Sequence, residues 1–130
     1  MKYEYVLDTY ALAELFDGTE KARIIRDLVN AGKCAISVIA LAELSDKCAR
    51  EQRNIEPLVT ALQATVAIVS LSNEIAIAAG KVKNELRKVS KNISLADSIH
   101  FQTAQSSGAV FVTGDPDFKE IKKQKILLLE

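Results

Sequence analysis

The chain has 130 residues, a length that predicts one domain spanning residues 1–130. Hydrophobic residues make up 48% of the sequence, so the chain can bury an aliphatic core without disulfides or a structural metal. Its 17 basic residues balance its 17 acidic ones, which argues against a protein that grips duplex DNA through bulk positive charge.

The cysteines and the N-terminal stretch bear on the cellular compartment. Cys34 and Cys48 lie in apolar patterns, and two cysteines are too few for a disulfide framework or a zinc site. We expect both to be reduced core residues. Acidic residues interrupt the apolar N-terminal stretch, which is unlike a signal peptide or a membrane span. A cytoplasmic protein with no membrane contact is therefore expected.

The first part of the chain alternates strand and helix patterns. Residues 3–7 form a β-prone run that stops at Asp8, and residues 11–16 have a helical pattern. The turn at 17–19 is expected to cap a second helix over 20–30. An apolar run over 34–38 then predicts the second strand.

Helices predominate in the rest of the chain. We expect helices over 39–50 and 56–65, a third strand over 66–71, and a long helix over 73–89. Ser94 opens a further helix that ends at Ser107-Gly108. The last two strands are predicted at 109–113 and 126–129.

Strands that are apolar throughout, separated by helices, indicate a parallel sheet covered on both faces, a three-layer α/β/α fold. Ligands bind such sheets beyond the carboxyl ends of the strands. Polar residues stand at those ends here: Asp8 follows the first strand, Ser37 closes the second, and Thr113-Gly114-Asp115 follows the fourth.

Four carboxylates stand out together: Asp8, Glu43, Asp97 and Asp115. Mg²⁺ and Mn²⁺ prefer oxygen ligands and are usually bound by a few carboxylates. Two such ions about 4 Å apart can hold the attacking and leaving oxygens of a phosphodiester displacement. This chemistry needs several acids from different elements and no histidine or cysteine.

Each acid also has an ordinary structural explanation. Asp8 could cap a helix, Glu43 could be a solvated helix residue, and Asp97 fits the third helical position of a capping box that starts at Ser94. Asp115 precedes a proline and could cap a short helix. Asp97, however, shares a helical face with apolar residues, where an unpaired charge is costly.

Four segments in order carry a family resemblance. They are Val6-Leu7-Asp8-Thr9, Ala42-Glu43-Leu44, Ser94-Leu95-Ala96-Asp97-Ser98 and Thr113-Gly114-Asp115-Pro116-Asp117-Phe118. The chain resembles the PIN-domain family, and within it the VapC-type toxins of prokaryotic toxin–antitoxin pairs. The match spans essentially the whole chain, and its last two segments are the most specific.

The resemblance implies a five-stranded parallel sheet in the order 3-2-1-4-5 and endonucleolytic cleavage of RNA. It implies a Mg²⁺ or Mn²⁺ cluster built from Asp8, Glu43, Asp97 and Asp115, with Asp117 as an additional metal-binding position. Thr9 and Thr113 would support that cluster. The resemblance further implies a homodimer and a small antitoxin that covers the active site. Tyr10 departs from the family, where this position is often small or serine, and we expect no consequence.

Basic residues along the long helix are candidate contacts for the RNA backbone: Lys81, Arg87, Lys88 and Lys91. The ordinary alternative is the solvated face of an amphipathic helix, which the pattern favours. Lys47, Arg50 and Arg53 form a second candidate patch. His100 is expected to be a structural residue and not a general base.

Two other metal-dependent classes fail on particular residues. A receiver domain needs a phosphoacceptor aspartate after its third strand, where this chain has Ser70-Leu71-Ser72. A haloacid-dehalogenase-like phosphatase would have an acid two residues after Asp8, and that residue is Tyr10. Two alternatives stay open: a PIN ribonuclease of RNA processing without an antitoxin, and a non-catalytic PIN-like module that binds RNA or protein.

Overall fold

The computed structural model describes residues 3–122 and 125–130. The strands of these ranges are β1 (Tyr5–Leu7), β2 (Cys34–Ser37), β3 (Ala67–Val69), β4 (Val110–Thr113) and β5 (Ile126–Leu128). The helices are α1 (Thr9–Asp17), α2 (Ala22–Asn30), α3 (Val38–Arg50), α4 (Glu56–Thr65), α5 (Asn73–Leu86) and α6 (Leu95–Ser107). A short 3₁₀ helix, Pro116–Phe118, follows β4.

The five strands form one parallel sheet in the order β3-β2-β1-β4-β5, as the family resemblance implied. β1 lies in the middle, where Leu7 pairs with Val112 of β4. The backbone N–H of Asp8 continues this ladder and donates to the Val112 carbonyl at 3.1 Å. The residues that follow β1 and β4 therefore meet at the same edge of the sheet.

The core lies on both faces of the sheet. Successive strand residues point to opposite faces, so Val6 and Leu7, both fully buried, belong to different clusters. The Leu7 cluster packs against the first four helices through Leu12, Ile25, Leu44 and Leu62. The Val6 cluster packs against α5 and α6 through Leu86, Phe101 and Ala104. This arrangement confirms the predicted three-layer fold.

Three phenylalanines tie the 3₁₀ helix to the sheet and to α6. The rings of Phe101, Phe111 and Phe118 have centroids 4.9 to 5.9 Å apart, and all three side chains are buried. Such aromatic contacts prefer the edge-to-face and stacked arrangements seen here. The cluster fixes the segment after β4, which carries two of the predicted acids, against the helix that carries Asp97.

Two local predictions were wrong. Gly18 ends α1 in the left-handed conformation (φ 67°) and donates its N–H to the Glu14 carbonyl, whereas α2 begins at Ala22 with no side-chain cap. Glycine after a helix favours this C-terminal geometry. The long helix α5 ends at Leu86 and not near Val89, whose side chain is 59% exposed.

The cysteine prediction is confirmed, since Cys34 and Cys48 are buried and free. Burial raises the pKa of the Cys34 thiol to about 11, so it stays protonated and unreactive. Among the helices of the described ranges, none has the length and apolar character needed to cross a bilayer.

Candidate active site

Asp8 occupies the centre of the candidate site, directly after β1. Its Oδ1 atom accepts a hydrogen bond from the Ala11 N–H at 2.8 Å, so Asp8 caps α1, which was the structural role considered for it in the sequence analysis. The residue is only 3% exposed, and this burial raises its pKa to about 6. Hydrogen bonds from Thr113 and from the Ala11 N–H oppose that rise, and the negative charge of Asp97 adds to it.

Thr113 connects Asp8 to the acids that follow β4. Its fully buried hydroxyl hydrogen-bonds Asp8 and accepts from the Asp115 N–H at 3.0 Å. Asp115 caps the 3₁₀ helix, with Oδ1 accepting from the Asp117 N–H at 2.9 Å. Partial burial raises the pKa of Asp117, and the charges of Asp115 and Asp97 raise it further. Thr113 thus links Asp8 to Asp115, and its role in supporting a metal cluster stays a prediction.

Asp97 stands at the start of α6 in the predicted capping box. Its N–H donates to Ser94 Oγ at 3.0 Å, and the Ser94 N–H donates to Asp97 Oδ2 at 2.9 Å. The bond from the Ser94 N–H occupies only one of the two carboxylate oxygens of Asp97, Oδ2. The charge of Asp97 raises the pKa of both Asp8 and Asp117, so it lies within electrostatic reach of both. The cap and a functional role are therefore compatible.

Glu43 is held by two residues from other helices. Thr9 donates its hydroxyl to Glu43 Oε1, and His100 Nε2 lies 2.7 Å from the same oxygen. The bond from His100 is the main cause that lowers the pKa of Glu43, so the carboxylate is ionised and can only accept. Nε2 therefore carries the proton that it donates. His100 Nδ1 is buried and has no hydrogen-bond partner within residues 3–122 and 125–130.

Charge interactions link four of the acids, Asp8, Asp97, Asp115 and Asp117, whereas Glu43 and Asp8 share His100 as a neighbouring charge. In the described part of the chain, no three histidine, cysteine, aspartate or glutamate side chains are placed to hold a metal ion as they stand. The donor chemistry nevertheless fits a hard divalent cation, because the group consists of carboxylates, one of them buried beside a second charge. A cation would relieve that repulsion.

The predicted RNA-backbone residues are all exposed: Lys81, Arg87, Lys88 and Lys91. Only Lys81 belongs to α5, since the other three lie in the segment that leads to Ser94. Arg87 Nε donates to the Lys91 carbonyl at 2.9 Å, and Lys88 lies 3.5 Å from Glu85. Their contact with RNA stays a prediction.

Sequence reasoning did not foresee the role of His100 as the partner of Glu43. A signal was present, because His100 follows Asp97 by three residues and so lies on the same side of α6. Only the tertiary contact with Glu43, 57 positions away along the chain, distinguishes it from an ordinary core histidine.

A protein-family model supplies an independent comparison. The model described as "PIN domain" matches residues 5–124, which include all the predicted acids. The chain belongs to the PIN-domain family. The membership predicted from the four sequence segments is thereby confirmed. A comparison with curated protein sequences gives no significant match.

Three of the solved structures similar to this PIN domain come from toxin–antitoxin complexes. VapBC-1 from nontypeable Haemophilus influenzae is 26% identical, with 96% of this chain and 97% of that chain covered and a TM-score of 0.72. A toxin–antitoxin complex from Klebsiella pneumoniae is 24% identical, with 98% of each chain covered and a TM-score of 0.72. VapBC2 from Rickettsia felis, bound to a promoter DNA fragment, is 23% identical, covers 97% and 98%, and has a TM-score of 0.75.

Proposed function

We propose that this PIN domain is an endoribonuclease that uses Mg²⁺ or Mn²⁺ to hydrolyse phosphodiester bonds of single-stranded RNA. The observation that carries the proposal is the buried Asp8, whose pKa is raised to about 6 beside Asp97 at the carboxyl edge of the sheet. Perturbed carboxylates of this kind are concentrated at functional sites. Family membership supports the proposal, because PIN domains are generally nucleases that use divalent ions.

Asp8, Glu43, Asp97 and Asp115 would hold the metal, with Asp117 at the margin. When bound, a divalent cation supplies Lewis-acid activation of water and of the scissile phosphate. The chain itself orients the ligands: backbone amides fix one oxygen each of Asp8, Asp97 and Asp115. Thr9 and His100 hold Glu43 ionised, as a metal ligand must be.

The proposal extends to partners. Because three of the similar structures are toxin–antitoxin complexes, we propose that this chain is the toxin of a VapBC-type pair, with a small antitoxin protein as partner. We expect the protein to form a homodimer and to act in the cytoplasm. Growth arrest on expression of the wild type, absent for Asp97→Asn, would support the toxin role. Normal growth with an active enzyme would favour a nuclease of RNA processing.

Cleavage of a labelled single-stranded RNA pool tests the activity, with Mg²⁺, with Mn²⁺ and with EDTA. The variant is Asp97→Asn, and Asp46→Asn is the matched control because Asp46 lies on an exposed surface in an ion pair with Arg50. We expect metal-dependent cutting by the wild type and the control, and none by Asp97→Asn. Each protein is checked by thermal melting, so that a lost fold is not mistaken for a lost site.

The other outcomes are equally informative. Cutting that persists in folded Asp97→Asn would overturn the assignment of the site. A folded wild type that binds RNA without cutting any of the pool would overturn the nuclease proposal in favour of a binding module.

A further inference from the structure

Tyr10 presents an exposed aromatic ring beside the segment that leads from β4 to Asp115. It is the second residue of α1, two positions after Asp8, and is 38% exposed. The ring lies against Gly114, where an added Cβ atom would be 2.5 Å from Cδ1 and closer still to Cε1. A side chain at position 114 would therefore meet the ring, which would have to move. Gly114 directly precedes Asp115, so the ring adjoins the segments that carry two of the acids.

The ring contributes little to the stability of the core. Tyr10 belongs to neither buried cluster, whereas Tyr3 and Tyr5 both pack against one. Within residues 3–122 and 125–130, its hydroxyl makes no hydrogen bond. An exposed aromatic ring held in place by a close backbone contact is a preformed surface for stacking.

Two lysines share a cleft with this ring. Lys21 Nζ lies 5.4 Å from the ring centroid, within the range of a cation–π contact. Tyr10, Lys21, Lys119 and the acidic Glu130 are among the residues that line a cleft of about 320 Å³. That volume lies at the lower end of the roughly 300–1,000 Å³ that small-molecule sites span. Aromatic rings with flanking cations are the combination by which proteins hold single-stranded nucleic acid.

We propose that Tyr10 is a stacking platform for an unpaired nucleobase next to the scissile phosphate, and that Lys21 and Lys119 bind the flanking phosphates. The inference rests on the proposed nuclease function and makes it more specific. Lys21 is flexible and can leave the ring for a phosphate when a base arrives. A base paired in a duplex has both faces covered, so the platform selects single strands. Stacking of this kind tolerates any base.

The test removes one partner of the proposed stack at a time, either the nucleobase or the Tyr10 ring. Short RNAs with one abasic nucleotide at successive positions around the cut are compared on the wild type and on Tyr10→Ser, with Tyr10→Phe to retain the ring. We expect one abasic position to raise the KM of the wild type about 5- to 150-fold, mostly without changing kcat. Tyr10→Ser should raise KM similarly on intact RNA and lose the sensitivity at that position. Tyr10→Phe, which retains the ring, should keep the sensitivity to that abasic position.

Binding without cleavage separates this inference from the nuclease proposal. The chain has no tryptophan and three tyrosines, so its emission reports on tyrosine directly. In EDTA, titration with intact RNA should quench the wild type, and Tyr10→Ser should bind more weakly. Tyr10-dependent binding by a wild type that never cleaves would overturn the nuclease and support the platform. Cleavage with identical KM values and identical abasic profiles in wild type and Tyr10→Ser would overturn the platform and retain the nuclease. A wild type that neither binds nor cleaves RNA would overturn both.

Discussion

Replacing Asp8 by asparagine should stabilise the metal-free protein at neutral pH. Burial raises the folded-state pKa of Asp8 from 3.8 to about 6, so holding this side chain ionised costs free energy. A difference of about two pKa units corresponds to about 3 kcal/mol. Asparagine carries no charge and can still cap α1, but it loses one of the two hydrogen bonds that the carboxylate accepts, at a cost of about 1 kcal/mol. The net gain expected at about pH 7 is therefore about 2 kcal/mol.

The sign of this effect depends on pH. The folded state binds the Asp8 proton more tightly than the unfolded state, so the wild type loses stability as pH rises from about 4, and the loss is complete above about 6. Asp8→Asn lacks this dependence. The lowered pKa of Glu43 acts in the opposite direction, but it is present in both proteins and cancels in the comparison.

Urea unfolding in EDTA, at pH values from about 4 to about 7.5, measures the difference in unfolding free energy between the two proteins. We expect Asp8→Asn to be about 1 kcal/mol less stable at the acid end and about 2 kcal/mol more stable at the neutral end. Asp46→Asn, an exposed acid, should show no such dependence. A difference that stays constant with pH would refute the reasoning, because Asp8 would then titrate alike in both states.

Three further predictions concern the metal, the core and the α6 cap. Millimolar Mn²⁺ should raise the unfolding free energy of the wild type by about 2.7 kcal/mol at 100 times Kd, and its melting temperature should rise accordingly. Calorimetry should show a much smaller rise in melting temperature for Asp8→Asn, and equal rises in the two proteins would contradict the site. Phe101→Ala should lower the unfolding free energy measured in urea by about 3–5 kcal/mol, because the Phe101 ring joins α6 to β4 and to the 3₁₀ helix. A change below about 1 kcal/mol would contradict that packing. Ser94→Ala should cost about 1 kcal/mol through loss of the capping box, measured against exposed Ser45→Ala, and equal stability of the two variants would contradict the cap.

Sequence alone determined the layers and the local geometry of the acids. Strand-length apolar runs separated by helical patterns can be buried only in a covered parallel sheet, so the fold class follows from periodicity. The Ser94–Asp97 capping box and the Asp115 cap before proline were also readable, because they depend on neighbours within a few residues. The turn at Gly18 was assigned to the wrong helix, since the same residues can end one helix or begin the next.

Tertiary structure decided what no local pattern contains. The partners His100 and Glu43 are 57 positions apart, and the ring of Tyr10 meets Gly114 at the far end of the sequence. From the sequence alone, Tyr10 was expected to be a departure from the family without consequence. The contact with Gly114 makes it a candidate binding residue. The pKa of Asp8 likewise depends on how completely the fold excludes water from it. Long-range contacts and burial arise only when helices and strands pack, which is why residue types predicted the chemistry and packing decided its arrangement.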